Sequence, residues 1–138
     1  MNFKPILIVC GEPNSVFSEL LVKSFKKNKS VKPILLIGSL NLINSQLDKI
    51  NLKLNFNKVL PESIYLNKLK KNQINIIDIK YNFNKPFEKA SSKSKKYISK
   101  CFNEAFKIIR YNKIGGLING PISKEFFLKG KYPGITEY

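Results

Sequence analysis

Two stretches of this chain carry residue types that could do chemistry, and they share a design. "CGEPNS" (residues 10–15) and "NGPISKE" (residues 119–125) each leave an apolar run, pass through Gly and Pro, and reach a residue able to cap a helix. Free backbone N–H groups at such a helix start suit an anion such as a phosphate. Glu12, held between Gly11 and Pro13, is a carboxylate with no evident packing role, available to cap a turn or to face a ligand. Lys124 falls in the first turn of the second helix, within reach of an anionic group, and it reads equally well as one more solvated lysine. Thr136 and Glu137 follow in "PGITEY", where small polar groups near Gly134 could contact a substrate.

Neither loop is a recognised phosphate motif: there is no G-x-G-x-x-G and no G-x-x-x-x-G-K-[ST]. No nucleophile–base pair can be assembled either. The chain has no His, and its two cysteines, Cys10 and Cys101, lie far apart among apolar residues. A zinc site built within this chain alone is therefore not expected, and both cysteines read as buried free thiols. On local chemistry alone, tight turns and ligand-binding loops are equal readings of the two stretches.

The elements that must position these loops are legible from periodicity. Pro5–Cys10 and Pro33–Ile37 are continuous apolar runs of strand length, each closed by a turn. Between them Val16, Phe17, Leu20, Leu21 and Phe25 predict one apolar helix face, capped by Asn14 or Ser15, with Glu19 near its positive end. Leu40, Ile43, Leu47 and Ile50 repeat at helical spacing. Residues 51–71 are the least legible, with a short strand in "LKLNF" and a turn at Pro61-Glu62-Ser63. Ile74–Ile79 predicts a strand interrupted by Asn75 and Asp78. Ile98, Cys101, Phe102, Ala105, Ile108 and Ile109 form the stripe of a long helix from about Phe87 to Asn112, with "KSKK" as its solvated face. Leu117 and Ile118 make a short buried strand. Ser123 then caps a last short helix, with Glu125 in its first turn and Gly130 just past its end. Strands and helices alternate, which is the signature of an α/β layered fold around a mostly parallel sheet. In such sheets ligands bind beyond the carboxyl ends of the strands, where both loops fall. No repeat, linker or internal domain boundary interrupts residues 1–138.

Composition narrows the classes. A length of 138 residues and 43% apolar content suit one globular unit. No apolar run approaches a membrane span, and the N-terminal run is too short for a signal peptide, so a cytoplasmic protein without a membrane partner is expected. The net charge of +16 invites a nucleic-acid reading. However, 24 lysines stand against a single Arg110, beside 16 asparagines and many isoleucines, as an AT-rich coding sequence would give. Base readout and bidentate phosphate clamps favour Arg, so a non-catalytic nucleic-acid-binding module ranks below an enzyme.

Together, "PILIVCGEPNS", the helix from Ser91 to Ile109 and "GGLINGPISKEFFLKGKYPGITEY" resemble a known family in order and spacing. They are similar to the opening strand and "GEP" turn, the helix, the "TGP-x-x-K" strand-loop-helix and the "G-H-T-E" loop of the 4-hydroxythreonine-4-phosphate dehydrogenases of pyridoxal-phosphate (vitamin B6) biosynthesis. The resemblance implies a three-layer α/β/α fold of the isocitrate/isopropylmalate dehydrogenase type, here incomplete because family members are considerably longer homodimers. It implies NAD-dependent oxidation of 4-phosphohydroxy-L-threonine and loss of CO2, giving 3-amino-2-oxopropyl phosphate. A divalent metal ion (Zn, Mg or Co) would polarise the hydroxyl and the developing carbonyl.

Residue by residue, the resemblance makes Thr136 the substrate-binding threonine and places Ile135 where the loop has a substrate-binding histidine. Lys124 matches the lysine of "TGP-x-x-K", and Asn119 stands where that motif has Thr. Gly11, Glu12 and Pro13 match the opening turn, although "NSVFSE" replaces the more usual glycine-rich continuation. No catalytic residue and no metal ligand is assigned within these residues; the metal-binding histidines would lie beyond Tyr138. The chain is thus expected to be the N-terminal part of such an enzyme, a partial sequence or a truncated product, inactive alone. Because Ile135 alters a substrate-contacting position, a relative acting on threonate or erythronate 4-phosphate is the alternative enzyme.

Overall fold

The computed structural model describes residues 4–62, 68–129, 131 and 134. Five strands form a parallel sheet: β1 (Ile6–Val9), β2 (Ile34–Gly38), β3 (Phe56–Lys58), β4 (Ile74–Asp78) and β5 (Gly116–Asn119). Their spatial order is β3-β4-β2-β1-β5. Helices α1 (Phe17–Lys27) and α2 (Leu40–Lys49) follow β1 and β2, and α3 (Lys95–Tyr111) connects β4 to β5. A π-helical turn, Lys124–Leu128, follows β5.

Alternation along the strands divides the core in two. Leu7, Val9, Leu35 and Ile37 pack with Ile98, Cys101, Phe102, Ala105 and Ile108 of α3 and with Phe127 and Leu128 of the π-turn. Ile8, Cys10, Leu36, Ile74 and Ile76 pack on the opposite face with Leu21 and Val22 of α1 and Ile43 and Leu47 of α2. Because both faces are covered, the central strands read as continuous apolar runs. The architecture is the expected three-layer α/β/α, and the described strands are all parallel. Among the described residues no helix is long and apolar enough to cross a membrane.

Four local expectations shift. In α1 Phe17, Leu21 and Phe25 pack on the core as expected, joined by Ser18 and Val22, whereas Val16 and Leu20 are 58% and 57% exposed. The helix begins at Phe17, with Val16 at its N-cap position. Ser15 Oγ accepts from the Phe17 N–H, and the Asn14 carbonyl oxygen of the side chain is engaged elsewhere, by Glu88. The long helix starts at Lys95, not near Phe87. Ser91 ends the connection by accepting from the Lys93 N–H and opens a 3-10 turn over Ser92–Ser94. The third strand is Phe56–Lys58, which begins on the last residue of "LKLNF". Finally, β5 is an edge strand, so Leu117 and Ile118 are 41% and 54% exposed instead of buried. Ser63 and Gly130 lie outside the described residues; Lys129, in the left-handed region at φ 48°, closes the π-turn.

Among the described residues, Asn75 is the one polar side chain wholly enclosed within a strand. Its amide nitrogen donates to the carbonyls of Ile34 and Lys70, and its oxygen accepts from Asn57 Nδ2 and the Lys70 N–H. It joins β2, β3 and the turn entering β4, so all four of its hydrogen-bonding positions are used. Asn75→Ala leaves buried partners unsatisfied and should cost about 2–4 kcal/mol, measured by urea unfolding. A loss under about 0.5 kcal/mol would show that water replaces the side chain without penalty.

Candidate functional site

The strand order places the two glycine–proline loops side by side. β1 and β5 are neighbours, with Ile6 to Val9 paired in register to Gly116 to Asn119. The chain leaves β1 for α1 on one face, whereas β5 is reached from α3 on the other. Adjacent parallel strands whose connections diverge in this way form a topological switch point, where α/β sheets place their ligand crevice. The loops 10–15 and 120–123 leave the carboxyl ends of these two strands.

In this molecule the loops interlock. The Gly120 N–H donates to the Val9 carbonyl at 2.7 Å, and the Glu12 N–H donates to the Pro121 carbonyl at 2.7 Å. Gly11 adopts φ +75°, and a Cβ there would stand 2.5 Å from the Pro121 oxygen. A Cβ on Gly120 would stand 2.1 Å from the Cys10 oxygen. Only glycine permits the left-handed conformation at Gly11 and this backbone approach at both positions.

Glu12 is 5% exposed, and its carboxylate faces inward. One oxygen accepts from the Asn14 N–H at 3.3 Å and the other from the Ser94 hydroxyl at 3.0 Å. Ser94 immediately precedes α3, whose positive end favours a nearby carboxylate. Gln46 of α2, itself buried, donates its amide to the Pro13 carbonyl and to the Pro86 carbonyl. Asn14 Oδ1 accepts from the Glu88 N–H, and the Asn14 side chain is also hydrogen-bonded to Tyr81. The turn "GEPN" is thereby tied to α2, the 80s connection, α3 and the β5 loop. Its Glu12 and Asn14 N–H groups are bonded within the protein, so they do not form the anion cradle that its sequence suggested.

The expected site residues divide accordingly. Gly11 and Glu12 meet the β5 loop, whereas Pro13 is held by Gln46 through its carbonyl. Lys124 opens the π-turn and is exposed; Ser123 caps that turn as expected, its Oγ accepting from the Phe126 N–H. Asn119 is exposed, its amide donating to the Gly120 carbonyl. Ile135, Thr136 and Glu137 lie outside the described residues. Sequence reading missed Ser94 and Gln46, which make the turn rigid; a buried glutamine at an otherwise apolar helix position was the available signal.

The residues present do not fit a catalytic metal. The chain has no histidine, and among the described residues no three Cys, Asp or Glu side chains gather. Both cysteines are buried and free, as expected. Burial raises Cys10, with Cys101 nearby adding to it, and pushes Cys101 up to about 12 against the pull of the Tyr97 hydroxyl hydrogen-bonded to it. Burial likewise raises Tyr97, whose hydroxyl oxygen accepts from the Ser39 N–H at 2.8 Å. No nucleophilic thiolate is available here at neutral pH.

Comparison with known proteins extends this geometry. The family model described as the pyridoxal phosphate biosynthetic protein PdxA matches residues 29–138. A crystal structure of a 4-hydroxythreonine-4-phosphate dehydrogenase from Burkholderia phymatum superposes with a TM-score of 0.77 at 20% identity, over 99% of this chain and 42% of that one. The enzyme of the same name from Klebsiella pneumoniae gives 0.76 at 20% identity, over 97% of this chain and 42% of that one. The chain thus spans about two-fifths of the length of these solved structures. No curated protein sequence matches it.

The buried thiols give a pH prediction. Cys10, Cys101 and Tyr97 keep their protons to higher pH folded than unfolded, where a thiol ionises near 9. Their contribution to stability is complete below pH 9 and is lost as pH rises through the folded values, to about 12 for Cys101. Stability should therefore fall steadily above pH 9, and a thiol reagent at pH 8 should label both cysteines only after denaturation. Rapid labelling of the native chain would contradict this burial.

Proposed function

The chain belongs to the PdxA family of pyridoxal phosphate biosynthetic proteins, and from that premise we propose that it forms the N-terminal segment of a 4-hydroxythreonine-4-phosphate dehydrogenase. The observation that carries this reading is the family match across residues 29–138, which takes in β5, its loop and the π-turn. In the complete enzyme the reaction is NAD-dependent oxidation of 4-phosphohydroxy-L-threonine with loss of CO2, within a homodimer. A divalent metal supplies Lewis acidity to that chemistry, and its ligands are not among these residues.

The part assigned to this chain is positional. The interlocked turns fix the carboxyl ends of β1 and β5, so the π-turn and the segment after it leave the sheet from a rigid base. Lys124 offers a cation to the substrate's anionic groups, and Thr136 offers a hydroxyl. Ile135 supplies only apolar contact where the family loop has an ionisable ring. Val16, Leu20, Leu117 and Ile118 support the segment reading: their exposed apolar surface is what a longer polypeptide or a second subunit would cover.

The test is NADH formation by the longest polypeptide that the coding sequence around these residues supports, with 4-phosphohydroxy-L-threonine and a divalent metal. Turnover is expected there and not in the 138-residue chain alone. Thr136→Ala and Lys124→Ala should each lower kcat/KM by roughly ten-fold or more. Turnover with threonate or erythronate 4-phosphate but not with the named substrate would overturn the substrate assignment. NAD reduction by the isolated chain would overturn the segment reading.

A further inference from the structure

Between the end of β4 and the start of α3 lies a cleft of about 290 Å³ lined by Lys80, Tyr81, Asn82, Lys93, Lys96, Tyr97 and Lys100. We propose that this cleft binds a small phosphorylated anion. Its floor is aromatic and fixed: Tyr81 and Tyr97 are buried, their rings 4.8 Å apart, and the Tyr97 hydroxyl is held by Ser39. Around that floor stand four ammonium groups and one carboxamide, with no carboxylate in the lining. None of the four lysines takes part in an ion pair found among the described residues. The acidic groups acting on Tyr81 are Glu12 and Glu88, and the Glu12 carboxylate is buried against Ser94 and Asn14.

Lysine abundance alone does not account for this arrangement. Residues 80–100 hold seven lysines and one glutamate. Lys96 and Lys100 stand at i and i+4 in α3, a spacing at which like charges repel, and Lys93 lies in the 3-10 turn just before them. They also crowd the positive end of α3, which has no acidic residue in its first turn. Helix α1 does the opposite, with Glu19 at its start and Lys26 and Lys27 at its end. A bound anion offsets both costs in α3. Ammonium groups act as point charges on phosphate and need no bidentate geometry. The volume, at the low end for ligand sites, suits a phosphomonoester or a diphosphate and not a dinucleotide.

This inference stands apart from the dehydrogenase reading, since its test needs no turnover. Inorganic pyrophosphate is titrated into the 138-residue chain at low ionic strength and followed by amide chemical shifts. Saturable shifts confined to residues 80–82 and 93–100 are expected. Lys96→Gln with Lys100→Gln should weaken binding roughly ten-fold, whereas Lys26→Gln with Lys27→Gln, an equal loss of charge, should change it by less than roughly two-fold. Without anion, the cleft variant should melt no lower than the parent, because repulsion is relieved. Lys80→Gln, which lies outside any helix, provides the same comparison without touching α3. Equal weakening by both double variants, or no saturable binding, would overturn the proposal. So would single-stranded DNA that displaces pyrophosphate from these residues with higher affinity, which would make the cleft part of a nucleic-acid surface.

Discussion

The structure depends on one buried residue, Glu12, at which the turn after β1 meets both the loop after β5 and the turn that opens α3. Removing an ionised carboxylate from water is costly unless hydrogen bonds replace the lost hydration. Glu12 meets that demand with the Asn14 N–H and the Ser94 hydroxyl, while its own N–H holds Pro121. A residue with so few degrees of freedom left fixes the segments that satisfy it. The carboxylate ties the turn after β1 to the start of α3, and the Glu12 N–H ties the loop after β5 to the same residue. Gln46 then adds α2 and the connection through Pro86.

That cross-link falls where the topology makes a crevice. Parallel strands β1 and β5 are adjacent, yet their helices lie on opposite faces of the sheet. Their loops would otherwise splay apart. The glycines at 11 and 120 allow the two backbones to approach closely enough for direct hydrogen bonds. The junction of the two loops is therefore built from main chain, with the Glu12 carboxylate bonded to Ser94 beside it. Beside it, the lysine-lined cleft at the start of α3 is built on the same 3-10 turn through Ser94, so the two features share a support.

Much of this was legible in the sequence for a physical reason. Strands covered on both faces must be continuously apolar, so Pro5–Cys10 and Pro33–Ile37 could be read directly, and so could the stripe of α3. What was not legible depends on tertiary partners. On α1 the buried face carries Ser18, Leu21 and Val22 and leaves Leu20 outside, a choice among apolar positions that only the packing against the sheet decides. The start of α3 is set by Ser91, whose hydroxyl accepts from the Lys93 N–H and competes with helix for the backbone. β5 has an apolar sequence and an exposed position, because burial follows from neighbours and not from composition. The glycine–proline turns do meet at the carboxyl ends of β1 and β5, but their N–H groups bond the neighbouring chain and not a ligand.

The most direct test of the hub is amide hydrogen exchange in the parent chain and in Glu12→Ala. If one carboxylate holds these segments together, exchange should accelerate by roughly ten-fold or more at position 12, at Asn14, at Gly120 and through Ser92–Ser94 together, with β2 and β4 unchanged. Acceleration confined to Asn14, with the N–H at position 12 and Gly120 as protected as before, would show that the loops hold one another without Glu12.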